Sequence, residues 1–253
     1  MSRAQVDPPV SSCARLAGHA FQAGEALLHA RRSAGRAVSY AERTMTPPLQ
    51  LTAAAALFDM DGTLVDSTAL VEALWERFCS EHGVDVGTLL AYSHGRRTPD
   101  IVDRFLPDAS EADRAAISAE LEARELEVTD GIVEIPGAAA LLTTMTVPWA
   151  VVTSAPRELA VRRMAAAGLP LPEVLVPADE LELGKPHPEG YLRAAALLGV
   201  TADRCVAFED AEPGVRSALD AGAQVVVVGG LDTETTRHLD RVADLRGLRI
   251  LPS

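Results

Sequence analysis

At 253 residues, the chain has room for one large domain, or for a core domain carrying a smaller insert. Hydrophobic residues make up 48% of it but aromatics only 4%, so Ala, Leu and Val must fill most of the interior. A net charge of -13 argues against nucleic acid and anionic membranes as partners. It would also repel a phosphorylated ligand, unless a site carries local positive charge or a metal.

Residues 1–50 are expected to form a disordered N-terminal extension. The stretch up to Thr44 is rich in Ala, Gly, Ser and Arg, with six arginines against Asp7, Glu25 and Glu42. It lacks a signal peptide's order of charge, apolar stretch and cleavage site. Its Arg-rich character faintly suggests a transit peptide, but a solvated tail is the simpler expectation. Met45 is a second possible start of translation. Cys13, Cys79 and Cys205 show neither paired nor metal-ligand spacing, which fits a reducing cytoplasm. No apolar run approaches membrane-spanning length.

Ala53 to Phe58 is a short apolar run that reads as a buried strand ending at Asp59. Residues 66–82 have helical spacing at Leu70, Val71, Leu74, Trp75 and Phe78, and Gly83 stops them. Residues 85–130 are charged and helical, and Ile135-Pro136-Gly137 breaks the chain before a helix to Met145. Strands and helices then alternate. Strands are expected at Trp149–Val152, Val174–Val176, Cys205–Phe208 and Gln224–Val228, and helices at 156–167, 188–198 and 212–221. Such alternation predicts an α/β protein with a doubly wound, Rossmann-like parallel sheet. Residues 51–66 and 135–253 would form this core. Residues 67–134 would be an α-helical cap inserted over the carboxyl ends of the strands, where open sheets of this kind bind ligands.

Asp59 with Asp61, Thr153, and Glu209 with Asp210 fall at the ends of predicted strands, and Lys185 lies in a loop after a weak one. Two carboxylates two residues apart leave the first strand together, and Gly62 permits a sharp turn. One can attack phosphorus and form an acyl phosphate. The other can protonate the leaving oxygen and later activate water. Glu209 and Asp210 add hard oxygen ligands of a kind that suits Mg²⁺. Thr153 offers a hydroxyl and an amide to phosphate oxygens, and Lys185 a compact positive charge. Taken singly, each is better explained as a turn, a helix cap or a solvated lysine. Their occurrence together, in chain order at strand ends, is what points to chemistry.

The segments FDMDGTLVDS (58–67), VVTSA (151–155), GKPHPEGY (184–191) and FEDAEPGV (208–215) resemble the four motifs of the haloacid dehalogenase superfamily, in its subfamily with a C1-type cap. The resemblance implies Asp59 as nucleophile and Asp61 as general acid/base. It implies Thr153, Ser154 and Lys185 as phosphate ligands. Mg²⁺ would be held by Asp59, the Asp61 carbonyl and Asp210, with Glu209 assisting. Asp61 separates the chain from true dehalogenases, which lack that second aspartate. Residues 93–100, SHGRRTPD, are similar to the substrate loop of yeast-type 2-deoxyglucose-6-phosphate and glycerol-3-phosphate phosphatases, which makes His94, Arg96 and above all Arg97 candidate substrate contacts. Glu212-Pro213 and Ala218 depart from the family's usual residues behind the acidic pair. The reading that follows is a cytoplasmic Mg²⁺-dependent phosphatase of a small sugar or polyol phosphate, monomeric or weakly dimeric. The alternatives are a sugar phosphomutase or a non-catalytic, receiver-like phosphate-binding module.

Overall fold

The computed structural model describes residues 49–253. The N-terminal extension and Cys13 lie outside the described residues. The core is a six-stranded sheet in the order β6-β5-β2-β7-β8-β9. Its strands are β2 (Ala55–Phe58), β5 (Trp149–Val152), β6 (Val174–Val176), β7 (Cys205–Glu209), β8 (Gln224–Val228) and β9 (Asp240–Val242). All neighbours pair in parallel. The connecting helices are α6 (Arg157–Ala166), α7 (Glu189–Leu197) and α8 (Glu212–Asp220), and α5 (Ala138–Thr144) leads into β5.

The apolar alternation of the strands sorts the sheet's two faces. Ala56 and Phe58 of β2, with Val151, Val206, Phe208 and Val226, pack into one buried layer. Ala55 and Leu57, with Ala150, Val152, Ala207, Val225 and Val227, pack into the other. Side chains that alternate across a pleated strand produce such a division, and burial on both faces explains why each strand reads as a continuous apolar run. Phe58 stacks on Phe208 of the neighbouring strand at 4.8 Å between ring centroids, a cross-strand pair that fixes the register beside the site.

The expected first strand is broken at Ala54. Gln50–Ala53 forms a separate strand, β1, which pairs in parallel with β10 (Arg249–Pro252) at the chain's end. β9 and β10 escape the sequence reading because Asp240, Arg241 and Arg249 interrupt any apolar run. Two short strands, β3 (Val65–Asp66) and β4 (Val133–Glu134), pair antiparallel. Between them lie α1 (Thr68–His82), α2 (Val86–Ser93), α3 (Thr98–Phe105) and α4 (Glu111–Glu127), which share their own apolar cluster around Trp75, Phe78, Leu89, Ile101 and Leu121. The inserted helices therefore leave and rejoin the core through a two-residue ribbon. α1 ends as the glycine rule predicts: Gly83 takes a left-handed conformation, φ 68°, and donates its N–H to the Cys79 carbonyl.

Phe58 is fully buried at the centre of this sheet. Phe58→Ala should remove its stacking partner and leave a cavity, lowering stability by about 3–5 kcal/mol, which a shift of the urea unfolding midpoint at constant slope would report.

Candidate active site

β2 ends at Phe58, and the backbone N–H of Asp59 still donates to the Phe208 carbonyl at 3.0 Å, so Asp59 leaves the sheet on a strand that is pinned to its neighbour. The chain then turns tightly. The Met60 carbonyl accepts from the amides of Leu64 and Val65, at 2.8 and 2.9 Å, and Gly62 sits at φ 87°. A β-carbon at Gly62 would lie 2.0 Å from an Asp210 carboxylate oxygen, so glycine is required here by close approach as well as by conformation. Gly214 is constrained in the same way, since a β-carbon there would lie 1.9 Å from Oε1 of Glu209.

Lys185 stands at the centre. Its Nζ donates to Asp59 Oδ1 at 2.5 Å, to Glu209 Oε1 at 2.7 Å and to the Val152 carbonyl at 3.1 Å. It is the only lysine in the chain, whose other basic side chains are all arginine or histidine. A compact ammonium can take three oxygens at short range where a planar guanidinium would not fit. The same Glu209 Oε1 accepts from the Tyr191 hydroxyl at 2.6 Å, while Glu209 Oε2 is buried without a partner. Burial alone would strip the proton from Lys185. The Asp59 and Glu209 carboxylates outweigh it and hold the ammonium above the ordinary lysine range.

Carboxylate oxygens of Asp59, Glu209 and Asp210 lie within 4.8 Å of one another. Burial drives Asp59 well above the usual carboxylate range. Lys185 opposes that shift, and Glu209 and Asp210 add to it. Asp210 is pushed up to about 7, first by burial and then by Glu209. Three acids facing one ammonium leave an excess of buried negative charge and one orphaned carboxylate oxygen. A hard divalent cation answers both needs, so the donor set fits one.

Thr153 follows β5, and its N–H donates to the Val176 carbonyl at 3.0 Å. Its side chain and that of Ser154 border the same cavity as Asp59, Asp61 and Asp210. The cavity has a volume of about 100 Å³. Ser154 Oγ also donates to the Gly95 carbonyl at 2.9 Å, tying the core to the loop after α2. His94 and Arg96 of that loop line the cavity. The Arg96 guanidinium lies 4.2 Å over the Tyr92 ring, and its Nε donates to the Tyr92 carbonyl. Arg97 does not join them. Asp100 takes it in a two-pronged pair at 2.8 and 2.9 Å, and the Glu182 carbonyl takes its remaining nitrogen. Position in a loop does not fix where a long side chain points, and Asp100, three residues on, captures this one.

Four side chains around the cavity were not singled out from the sequence. Ser67 Oγ donates to Asp61 Oδ1 at 2.6 Å. Arg163 Nη1 lies 3.0 Å from Asp61 Oδ2, and its Nη2 lies 2.6 Å from Glu125. Tyr191 holds Glu209 from below. Ser67 and Tyr191 lie inside segments quoted above for other residues, and a single lysine in so acidic a chain was itself a signal. Arg163 and Glu125 gave none, because each sits in a helix with many similar charges.

The model of a family described as haloacid dehalogenase-like hydrolase matches residues 53–222. The chain is 43% identical over 190 residues to hexitol phosphatase A of Escherichia coli strain K12, covering 74% of this chain and 88% of that protein. It is 34% identical over 190 residues to 2-deoxyglucose-6-phosphate phosphatase 1 of Saccharomyces cerevisiae, covering 67% and 77%. A crystal structure of β-phosphoglucomutase from Clostridium difficile superposes with a TM-score of 0.70 at 22% identity, over 78% and 93%. That level of identity speaks to the fold alone.

Asp210 carries a proton at a pH where an unfolded Asp, with a pKa of about 3.9, carries none. Without a cation, the folded state therefore loses stability as the pH rises from about 4 towards 7. A cation bound by these carboxylates displaces the protons and reverses the loss. Replacing EDTA by saturating Mg²⁺ should raise the melting temperature by roughly 5–10 °C at pH 8 and by much less at pH 5. Equal shifts at the two pH values would mean that the cation binds elsewhere.

Proposed function

The chain belongs to the haloacid dehalogenase-like hydrolases, and from that premise we propose that it is a Mg²⁺-dependent phosphatase of small sugar or polyol phosphates that works through a phosphorylated Asp59. The observation that carries this reading is the pairing of Lys185 with Asp59 at 2.5 Å, where Asp59 lines a cavity together with Asp61, Thr153 and Asp210.

The substrate's phosphate would lie against the Thr153 and Ser154 side of the cavity, beside the Lys185 ammonium. Asp59 attacks phosphorus, the ester P–O bond breaks, and Asp61 gives its proton to the departing alcohol. Water then attacks the aspartyl phosphate, Asp61 takes up a proton, and inorganic phosphate leaves. Asp59, the Asp61 carbonyl and Asp210 would hold Mg²⁺, with Glu209 behind them, and the bound ion would supply positive charge against the phosphoryl oxygens. Little covalent machinery is needed beyond Asp59 and Asp61, because phosphoryl transfer depends mainly on positioning and charge neutralisation.

The named relatives act, by their descriptions, on hexitol phosphates and 2-deoxyglucose 6-phosphate. His94 and Arg96 line the cavity and would meet substrate hydroxyls, whereas Arg97 would first have to leave its pair with Asp100. Cys79 and Cys205 are buried free thiols, which supports a cytoplasmic setting. Among the described residues, no helix is long and apolar enough to cross a membrane. No observation favours the phosphomutase reading over hydrolysis.

The test is phosphate release from a panel of hexitol phosphates, 2-deoxyglucose 6-phosphate and glycerol phosphates, with Mg²⁺ or with EDTA. Turnover should require Mg²⁺. Asp59→Asn should lower it at least about a thousandfold, and Asp61→Asn by about 10²–10⁴-fold. A wild-type protein that released no phosphate from any of these would sink the reading, and full activity of Asp59→Asn would sink the mechanism.

A further inference from the structure

Arg163 lies in α6 of the core, and its side chain is 6% exposed. One terminal nitrogen pairs with Asp61 and the other with Glu125 of the cap helix α4. From the other side, Ser67 at the mouth of the cap ribbon holds the second Asp61 oxygen at 2.6 Å. Next to it, Arg162 donates to the Leu126 carbonyl at 3.1 Å, so two successive arginines grip the last turn of α4. Arg163 Nε remains buried with no partner. Burying a guanidinium with one donor unsatisfied costs stability that a Met or Leu at this position would not lose. A core built for stability alone would not keep it. The pair with Asp61 gives it another use.

We infer that Arg163 is a positioning residue that orients the Asp61 carboxyl for proton transfer and ties that orientation to the seating of cap helix α4 through Glu125. The inference rests on the phosphatase reading above. Three contacts set the Asp61 carboxyl: Ser67 on Oδ1, Arg163 on Oδ2, and Glu125, which stops the guanidinium from rotating away. Because Glu125 belongs to the cap and Arg163 to the core, the geometry of the acid depends on the cap being in place. Asp61 would then deliver its proton well only when α4 covers the site, so the cap's presence and the leaving group's protonation are linked through one side chain.

The consequence is selective. An alkoxide leaves only if it is protonated, whereas acetate leaves from acetyl phosphate without a proton. kcat/KM runs as far as transfer to Asp59 and alcohol release, before the aspartyl phosphate is hydrolysed. Comparing kcat/KM for the best alkyl phosphate of the panel with that for acetyl phosphate therefore isolates the step in which Asp61 acts as acid. Arg163→Gln should lower the alkyl value about ten- to a hundredfold more than the acetyl value. Arg163→Lys should restore part of that difference, since an ammonium can reach one partner. Glu125→Gln should give a smaller loss of the same selectivity, and none further when Arg163→Gln is already present.

A merely structural role predicts equal losses on both donors, together with a lower melting temperature. Equal losses, or no loss on either donor, would overturn the inference. If Arg163→Gln does not fold, Arg163→Lys and Glu125→Gln decide it by the same ratio. A wild-type protein inactive on both donors would instead overturn the phosphatase reading, and this inference with it.

Discussion

The rest of the site depends on one buried ammonium. Lys185 sits between Asp59 and Glu209, each within 2.7 Å, in a protein with a large excess of acid and no second lysine. Removing it would leave carboxylates facing each other away from water, a cost of several kcal/mol in a buried setting. The surrounding structure is arranged around that constraint. Val152 lends its carbonyl, Tyr191 donates to the same Glu209 oxygen that takes Lys185, and Gly62 and Gly214 are bare so that Asp210 and Glu209 can approach the backbone. The fold brings this positive charge to Asp59 from a loop far along the sequence.

The inserted helices serve the same centre from the opposite side. They are attached by a ribbon of two residue pairs, with Val65 opposite Glu134 and Asp66 opposite Val133, and they carry their own apolar cluster. Such a unit has packing of its own, separate from that of the core. Polar contacts cross between the two, Ser154 to the Gly95 carbonyl, Arg162 to the Leu126 carbonyl and Arg163 to Glu125, and Leu70 and Leu126 of the inserted helices pack against the core's apolar cluster.

Much of this was legible in the chain because its signals are local. β5, β6 and β8 fall on the expected residues, and α6, α7 and α8 within one residue of their expected ends, because uninterrupted apolar runs and stopping glycines report directly on buried strands and helix ends. The four polar clusters at strand ends were legible for the same reason. β1, β9 and β10 were not, since β9 is an edge strand and β1 pairs with β10 in a separate two-stranded sheet, where exposed polar residues erase the pattern. Arg97 shows the limit for side chains. Its place in the loop was readable, but its capture by Asp100 and by the Glu182 carbonyl, 85 residues away, was not.

The sequence by itself determined the types of group available: paired aspartates on a turn that needs glycine, one lysine, a hydroxyl after the second strand, and an acidic pair after a later one. Apolar periodicity also determined that these groups would meet along one edge of a parallel sheet. Only the tertiary structure decided which of them touch, that Lys185 bridges Asp59 to Glu209, and that Asp61 is gripped by Ser67 and by an arginine shared with the cap. Ser67 apart, those partners come from segments separated by tens of residues to more than a hundred, and charge pairing over such distances leaves no period in the sequence. It is set by how the helices pack, and the apolar faces that pack them carry no record of which charges will be brought together.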